Sequence, residues 1–567
     1  MDNVSKNFSL SKKEGLYLLR ENEKIRISNY IAIKKIIINK DTNLESYELE
    51  YCRRNTNRLT VLPIDPEQIQ KEKIIKLSRY GVDINDINKA FVSEFLYETL
   101  QTAPITLTTN GYGWKQDGSQ EIFIADKILS ATPMEEEIVK NTDKFDLKPH
   151  GSLDDWLAMY SELIRGKKYL ELAIVFGLSA PIINYLSRDY PDLTSILIHI
   201  SGDSTAGKST ASMLAASTAG NPNQISPNSL VRKWSGTENS LISTLEDVSG
   251  IPIVFDELSS FRGDTLTSLA YTLTDGVGKA RANVDGSLNA PKNWNTIILS
   301  NGEVSIFSKA NHNTGIKTRV FEFSNITWTD SAEQAEAIKE ICCNNYGHIL
   351  PLFIKNLFKY GTNKIFEVFE EERKLLKDKL PNSRLKDRIA TKLSVFTTTA
   401  RLLKETDTLD INHMDIFKLL YEQEMLSTEN RDIGLIAYEK LLQYLLANKA
   451  KLSYNTYTQL GFIKENTIFI IKEQLNLIFK ELKFEDTSII IKDWNKRDFL
   501  VKTEGDRQTT RKQENKQSLI GYTLKIPEEY LPYFSGEFTR KNLNNKVLTL
   551  DSSLIIDEIE SIGNIEI

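Results

Sequence analysis

The run GDSTAGKS, from Gly202 to Ser209, constrains what this chain can fold into more than any other feature. It has the spacing GxxxxGK[ST], with Gly202, Gly207, Lys208 and Ser209 in the fixed positions. Average residue usage would give such a match by chance in only about two chains of this length per hundred. The flanks narrow the reading further. LTSILIHI (Leu193 to Ile200) reads as a buried strand just before the run, and STASMLAAST (Ser209 to Thr218) as a helix just after it. That is the strand–loop–helix setting a phosphate-binding loop requires. Glycine at 202 and 207 lets the backbone bend, so that N–H groups along Asp203, Ser204, Thr205 and Ala206 can face phosphates at the positive helix end. Lys208 is expected to reach the β- and γ-phosphates of ATP and Ser209 to ligate Mg²⁺, with Thr210 completing the cofactor-binding run.

A hydrolase of this kind needs a second acidic strand. GIPIVFDE (Gly250 to Glu257) supplies one, with Asp256 48 residues after Lys208. Asp256 at the strand's end can hold Mg²⁺ through water, and Glu257 is suited to orient and deprotonate the attacking water. A third run, NTIILSNGE (Asn295 to Glu303), ends in Asn301, which could touch the γ-phosphate or the water. A fourth, TRVFEFSN, begins with Arg319, suited to stabilise transferring phosphate charge on a neighbouring subunit. Lys317 is the next cation there. Strands alternating with helices over residues 191–330 imply a parallel α/β sheet.

The rest of the chain divides around this core. With 567 residues it exceeds one compact core, so several domains are expected. We expect a multidomain α/β protein: a mixed α+β N-terminal domain over 1–145, an ATPase core over 146–330, and a helical lid over 331–430. A winged-helix-like domain would follow over 431–530, and an acidic tail over 531–567. Strand-like runs at YIAIKKIII (Tyr30 to Ile38) and RLTVLPI (Arg58 to Ile64) and a helical stretch near 84–100 mark the first. The most apolar stretch, LAIVFGLSAPII (Leu172 to Ile183), reads as a buried helix beside the core. It is too short to span a bilayer and is bounded or interrupted by Glu171 and Pro181. The N-terminal MDNVSKNFSLSKKEG has no apolar core, so no secretory signal is expected. Three cysteines and five scattered histidines cannot form a Cys₄ or Cys₂His₂ zinc site, and the low cysteine count suits a reducing cytoplasm. The formal net charge is −6, so any contact with nucleic acid must run through a local basic stripe.

These elements, in this order, resemble the AAA+ class. More closely, the chain resembles the MCM-like replicative helicases of staphylococcal chromosome cassettes and pathogenicity islands, part of a wider family long catalogued as a domain of unknown function. The resemblance covers about residues 10–525. It includes GLYLL (Gly15 to Leu19), GYGWK (Gly111 to Lys115), GSLDDWLAMYSELIRG (Gly151 to Gly166), WSGT (Trp234 to Thr237), DGVGKARANVDG, LSNGE and RDIGLIAYE (Arg431 to Glu439). GDSTAGKS and KTRVFEF look like the MCM forms of the phosphate loop and the arginine-finger element. The resemblance implies a central AAA+ ATPase, a homo-hexameric ring hydrolysing ATP between subunits, and one DNA strand drawn through its centre. It also implies single-stranded and forked DNA as partners, with element-encoded replication proteins as further ones, and no membrane. Asn301 is then a sensor-1 residue, and Arg388 the sensor-2 candidate ahead of Arg384 and Arg401. MCM proteins usually carry a zinc-bearing collar; without the cysteines for it, loading of double rings is not implied.

DGVGKARANVDGSLNAPKNW (Asp275 to Trp294) reads as a β-hairpin before Asn301, with a turn signal at Asp285-Gly286. Alternation puts Lys279 and Arg281 on one face, and by resemblance this hairpin grips DNA in the pore. From Lys492 to Lys516 there are eight Lys or Arg against five Asp or Glu. There RQTTRKQENK reads as the loop of a winged helix, and Arg507, Arg511 and Lys512 as phosphate contacts. Two other readings share every nucleotide residue: a protein remodeller, and an origin-binding scaffold that never unwinds.

Overall fold

Five runs between residues 196 and 324, all but Val231–Lys233 mainly apolar, pair in parallel, and the rest of the larger unit is arranged around them. In the computed structural model they are β1 (Ile196–Ser201), β2 (Val231–Lys233), β3 (Ile253–Asp256), β4 (Ile297–Gly302) and β5 (Val320–Ser324), in the order β2-β3-β4-β1-β5. Every residue of β1 and β4 is buried. Near-continuous burial is what a parallel sheet covered on both faces demands. The structure describes residues 2–535 apart from 4–6, 21–22, 55, 57, 134–137, 141–143, 264–265, 279–280, 283–287, 290–291, 311–314, 384, 432, 453–458, 485–486, 502–508 and 515–516.

The helix α1 (Lys168–Leu186) differs from the sequence expectation. It runs unbroken through both Glu171 and Pro181, for 19 residues. By length and composition it could cross a membrane, yet 89% of its most apolar window is buried inside the protein. Glu171 is tolerated because its carboxylate accepts the Gly166 N–H at 2.8 Å, and burial raises its pKa. Pro181 removes one helix hydrogen bond, and its own carbonyl accepts the Trp114 indole N–H at 3.0 Å. Around α1 pack α2 (Lys208–Ser217) and, further on, α3 (Lys364–Lys379) and α4 (Lys386–Glu405). Phe176 meets the rings of Phe323 and Phe396 edge-on at 5.2 Å, which joins α1 to β5 and α4.

Ahead of the sheet, strands Ile31–Asn39, Leu44–Cys52, Leu59–Ile64, Ile105–Thr109 and Ile138–Lys140 form a second, mixed sheet beneath helix Lys89–Leu100. Its core holds Phe8, Tyr51, Leu77 and Phe95.

The chain separates into two compact units, the second comprising residues 311–315 and 426–567. Its core gathers Trp494, Phe479 and Leu441 from helices Ile433–Ala447, Lys472–Glu481 and Thr487–Lys496. An antiparallel sheet completes it, in the order Gly461–Lys464, Thr467–Ile471, Gln517–Lys525, Thr510–Glu514. The segment expected to be a loop therefore contains an edge strand, Thr510–Glu514. An edge strand can be entirely polar, so TRKQE carries no apolar alternation to announce it. The compact unit also extends past 530. Helix Leu531–Ser535 buries Phe534, and the Lys449 ammonium donates to the Tyr533 carbonyl at 3.0 Å. The acidic residues beyond 535 lie outside the described residues.

The helices α1 and α2 approach closely at Gly177. A Cβ there would lie 2.4 Å from the Ala215 carbonyl oxygen and 2.9 Å from Thr218 Oγ1. Helix propensity alone favours Gly177→Ala by about 1 kcal/mol. The backbone contact predicts the reverse, a net loss of about 1–3 kcal/mol from overpacking. Thermal unfolding should therefore give a lower Tm for Gly177→Ala; an unchanged or higher Tm would show that α1 and α2 are not in contact there.

Candidate functional site

The GDSTAGKS loop leaves the carboxyl end of β1 and enters α2 at Lys208. Gly202 sits at φ 141° and Gly207 at φ 79°, conformations that residues with a Cβ resist. Gly207 is also confined: a Cβ would lie 2.4 Å from Thr329 Oγ1. The Trp328 N–H donates to the Ala206 carbonyl at 2.8 Å, and the Ala206 N–H to the Asp203 carbonyl at 3.2 Å. Asp203, Ser204 and Thr205 are exposed, Ala206 and Ser209 half-buried, and Thr210 buried. Lys208 is buried, its ammonium donating to the Gly202 and Asp203 carbonyls at 2.8 and 2.5 Å. A cation curled over a bent loop at a helix N-terminus forms a cradle suited to a polyphosphate.

Parallel pairing brings the next groups to the same edge. Ile200 pairs with Asn301, Phe255 with Ser300, and Lys233 with Asp256. Asn301 is buried, accepts the Glu257 N–H at 2.9 Å and donates to Ser212 Oγ on α2 at 3.1 Å. It therefore ties the acidic strand to the helix that follows the phosphate loop. Glu257 has φ 62°, a left-handed conformation rare for a residue with a side chain. Its carboxylate accepts from the Ser259 N–H at 3.3 Å and from the Ser259 hydroxyl. Asp256 ends β3, half-buried. Ser209 and Asp256 are the groups that could hold Mg²⁺. The sequence reading did not find Ser212; its signal would have been its place one helical turn after Lys208.

Beneath this edge runs a buried polar chain that the sequence reading also missed. The Trp234 indole N–H donates to Ser300 Oγ at 2.9 Å. Ser300 Oγ donates to His199 Nδ1 at 2.8 Å, and His199 Nε2–H donates to the Val304 carbonyl at 3.0 Å. The chain links β1, β4 and the WSGT segment, with these donor roles set by a neutral imidazole. Burial holds the His199 pKa down to about 4.

At the opposite edge of the sheet lies Arg319. Leu197 pairs with Val320 and Ser201 with Ser324, so Arg319 is level with Ile196. Five strand residues, roughly 16 Å, separate that level from the start of the phosphate loop. Arg319 Nε donates to Asp275 Oδ1 at 3.1 Å, and its guanidinium lies over the Tyr271 ring at 4.8 Å. Arg388, exposed on α4, lines the same cavity of about 280 Å³ as Arg319. Neither is brought together with Lys208 of its own chain. Of the competitors, Arg401 is engaged with Glu371 at 2.7 Å and Glu405 at 2.8 Å, and Arg384 lies outside the described residues. Lys317 is buried.

A β-hairpin is present between β3 and β4. Val277 bridges Asn293, Arg281 pairs with Asn289 and Ala282 with Leu288. Both strands advance by the same number of residues between these pairings, so they share one register. Lys279 and the turn at Asp285-Gly286 lie outside the described residues. In the C-terminal unit Arg507 does too. Arg511 is exposed and pairs with Ile520, and Lys512 pairs with Leu519. Successive strand residues face opposite ways, and the Lys512 ammonium lies over Phe462 and Phe469 at 5.1 and 5.3 Å. The two cations therefore do not share a face.

Fold and site together define a multidomain, mixed α/β protein with a phosphate-loop motif at the carboxyl edge of a parallel sheet. Residues 10–293 match the family described as "Domain of unknown function (DUF927)". That is just over half of the chain, which belongs to this family. Residues 432–529 match the family described as "Cch helix turn helix domain". Among solved structures, the chain is similar to one described as "SCCmec type IV Cch - active helicase". The two are 26% identical with a TM-score of 0.78, over 94% of this chain and 99% of that one. No curated protein matches.

The buried histidine predicts acid sensitivity. Its folded pKa lies below the unfolded value of about 6.5, so the unfolded state binds the extra proton. Stability present at neutral pH should fall as pH drops from about 6.5 through about 4, by on the order of 3 kcal/mol. Denaturant unfolding across that window should show the loss, and His199→Gln should flatten it. An unchanged slope in the variant would assign the sensitivity to other groups.

Proposed function

We propose that this protein is an AAA+ ATPase acting as an MCM-like DNA helicase of a mobile genetic element, working as a ring, by resemblance a hexamer. The observation that carries the reading is the strand register. It gathers the GDSTAGKS loop, Asp256-Glu257 and Asn301 at one edge of the sheet and leaves Arg319 at the other. An arginine roughly 16 Å from its own phosphate loop can serve a nucleotide only on a neighbouring copy. The likeness to a solved active helicase over nearly the whole chain supports the same class.

On this reading the loop N–H groups and Lys208 bind the phosphates of ATP, Ser209 and Asp256 hold Mg²⁺, and Glu257 takes the proton of the attacking water. Mg²⁺, when bound, would neutralise charge on the phosphate oxygens. Asn301, through the Glu257 N–H, fixes the backbone carrying the base and faces the γ-phosphate. Arg319 and Arg388 of the next copy stabilise the charge that develops on the transferring group. The 276–294 hairpin, with Lys279 and Arg281, contacts the DNA backbone, and the helix-turn-helix unit adds contacts through Arg507 and Arg511. Six local basic tips need no overall positive charge. Lys512, lying over two rings, is the weakest of these candidates.

Steady-state ATPase with and without single-stranded DNA tests the proposal. Turnover should rise with DNA, and Glu257→Gln should retain ATP binding while hydrolysis falls by about a hundredfold or more. The double variant Lys279→Ala, Arg281→Ala should keep basal turnover, lose the stimulation, and bind single strands with a shallower salt dependence. Turnover indifferent to DNA would favour a protein remodeller. Near-normal turnover in Glu257→Gln would put the catalytic base elsewhere.

A further inference from the structure

The cavity at the amino edge of the sheet contains one group that the proposed reaction has not yet used. Lys392 lies on α4, one turn after Arg388, so the two share a helix face. It is only 7% exposed, yet it lines the cavity and has no hydrogen-bond or ion-pair partner among the described residues. The other cations are engaged: Lys377 with Asp387 at 3.1 Å, Arg319 with Asp275 at 3.1 Å, and Arg373 with Glu370 at 2.8 Å. That leaves Arg388 and Lys392 facing Asp192, the one other carboxylate lining the cavity.

This arrangement works against the stability of the isolated chain. Like charges one helical turn apart repel, and a buried ammonium loses its hydration. Burial, together with the Arg319 and Arg388 charges, holds the Lys392 pKa down to about 8 against the pull of Asp275 and Asp192. A local conflict with no gain inside the fold is the mark of a group kept for a ligand. The ligand must be anionic and must enter from outside the chain, where Arg319 and Arg388 already face. A terminal phosphate with several acceptor oxygens answers three converging cations.

We propose that Lys392 is a third cation of this site, donating beside Arg319 and Arg388 to the terminal phosphates of a nucleotide held by a second copy of this chain. The inference rests on Arg319 acting between copies, so the test separates the two. Pairs of full-length chains carrying different tags are co-expressed and purified through both tags in turn, so that every assembly is mixed. Lys392→Met keeps the apolar stem and removes the charge; its Tm should equal or exceed that of the wild type, and Lys392→Gln serves if it does not. Alone, the variant should lose about tenfold or more in ATPase kcat. Mixed with Lys208→Ala, turnover should return to as much as about a quarter of wild type, because random assembly pairs an intact loop with an intact cavity at some interfaces. Arg319→Ala mixed with Lys208→Ala is the control. Normal turnover in Lys392→Met overturns the inference. So does a mixture without recovery when the control recovers, which would assign Lys392 a role within its own chain. A fall in single-strand affinity without recovery would make DNA phosphate the ligand, again overturning it. If the control also fails to recover, the action of Arg319 between copies falls together with the inference.

Discussion

Parallel pairing of β1 with β4 and β5 is the interaction on which the rest of this molecule depends. In a parallel sheet every strand ends at the same edge, so the turns that follow gather there whatever their distance in sequence. Ser201, Asp256 and Asn301 are separated by dozens of residues, yet register alone places them side by side. The same register fixes Arg319 at the start of β5, away from that edge. A single chain thus presents a phosphate-loop motif at one edge and a cluster of cations at the other. On the proposed reading, that polarity makes hydrolysis a property of neighbouring copies rather than of one chain.

The buried contacts hold this polarity in place. Asn301 spans from the Glu257 backbone to Ser212 on α2, so the acidic turn and the phosphate-loop helix cannot shift independently. One position back, Ser300 joins Trp234 to His199. A buried polar chain beneath the loop resists distortion because each member left unpaired would cost about 1–3 kcal/mol. The long apolar helix α1 packs on α2, close enough at Gly177 to exclude even a methyl group.

How much of this was legible in the sequence follows from which signals are local. The GxxxxGK[ST] spacing, the apolar run ending in Asp256-Glu257 and the glycine-flanked hairpin are all local, and the structure has a loop, a strand end and a paired hairpin there. Signals that depend on a partner element were misread or missed. Pro181 looked like a helix end because its tolerance depends on neighbours packed around α1. TRKQE looked like a loop because its order comes from pairing with Gln517–Lys525. Ser212, His199 and Lys392 are unremarkable in the sequence. Each gains meaning only from a group far along the chain that the fold brings to within hydrogen-bond reach or into one cavity.

The central claim is that turnover at the GDSTAGKS loop drives movement along DNA, and one measurement addresses it directly. Wild-type protein and Lys208→Ala are incubated with a forked duplex, ATP and Mg²⁺, and release of the labelled strand is followed with time. The account predicts displacement by the wild type that requires hydrolysable ATP, and none by Lys208→Ala even where it still binds the fork. Wild-type protein that hydrolyses ATP on the fork without releasing a strand would contradict the account and leave an origin-binding scaffold. Release by Lys208→Ala at the wild-type rate would contradict it from the other side, by uncoupling strand separation from the phosphate loop.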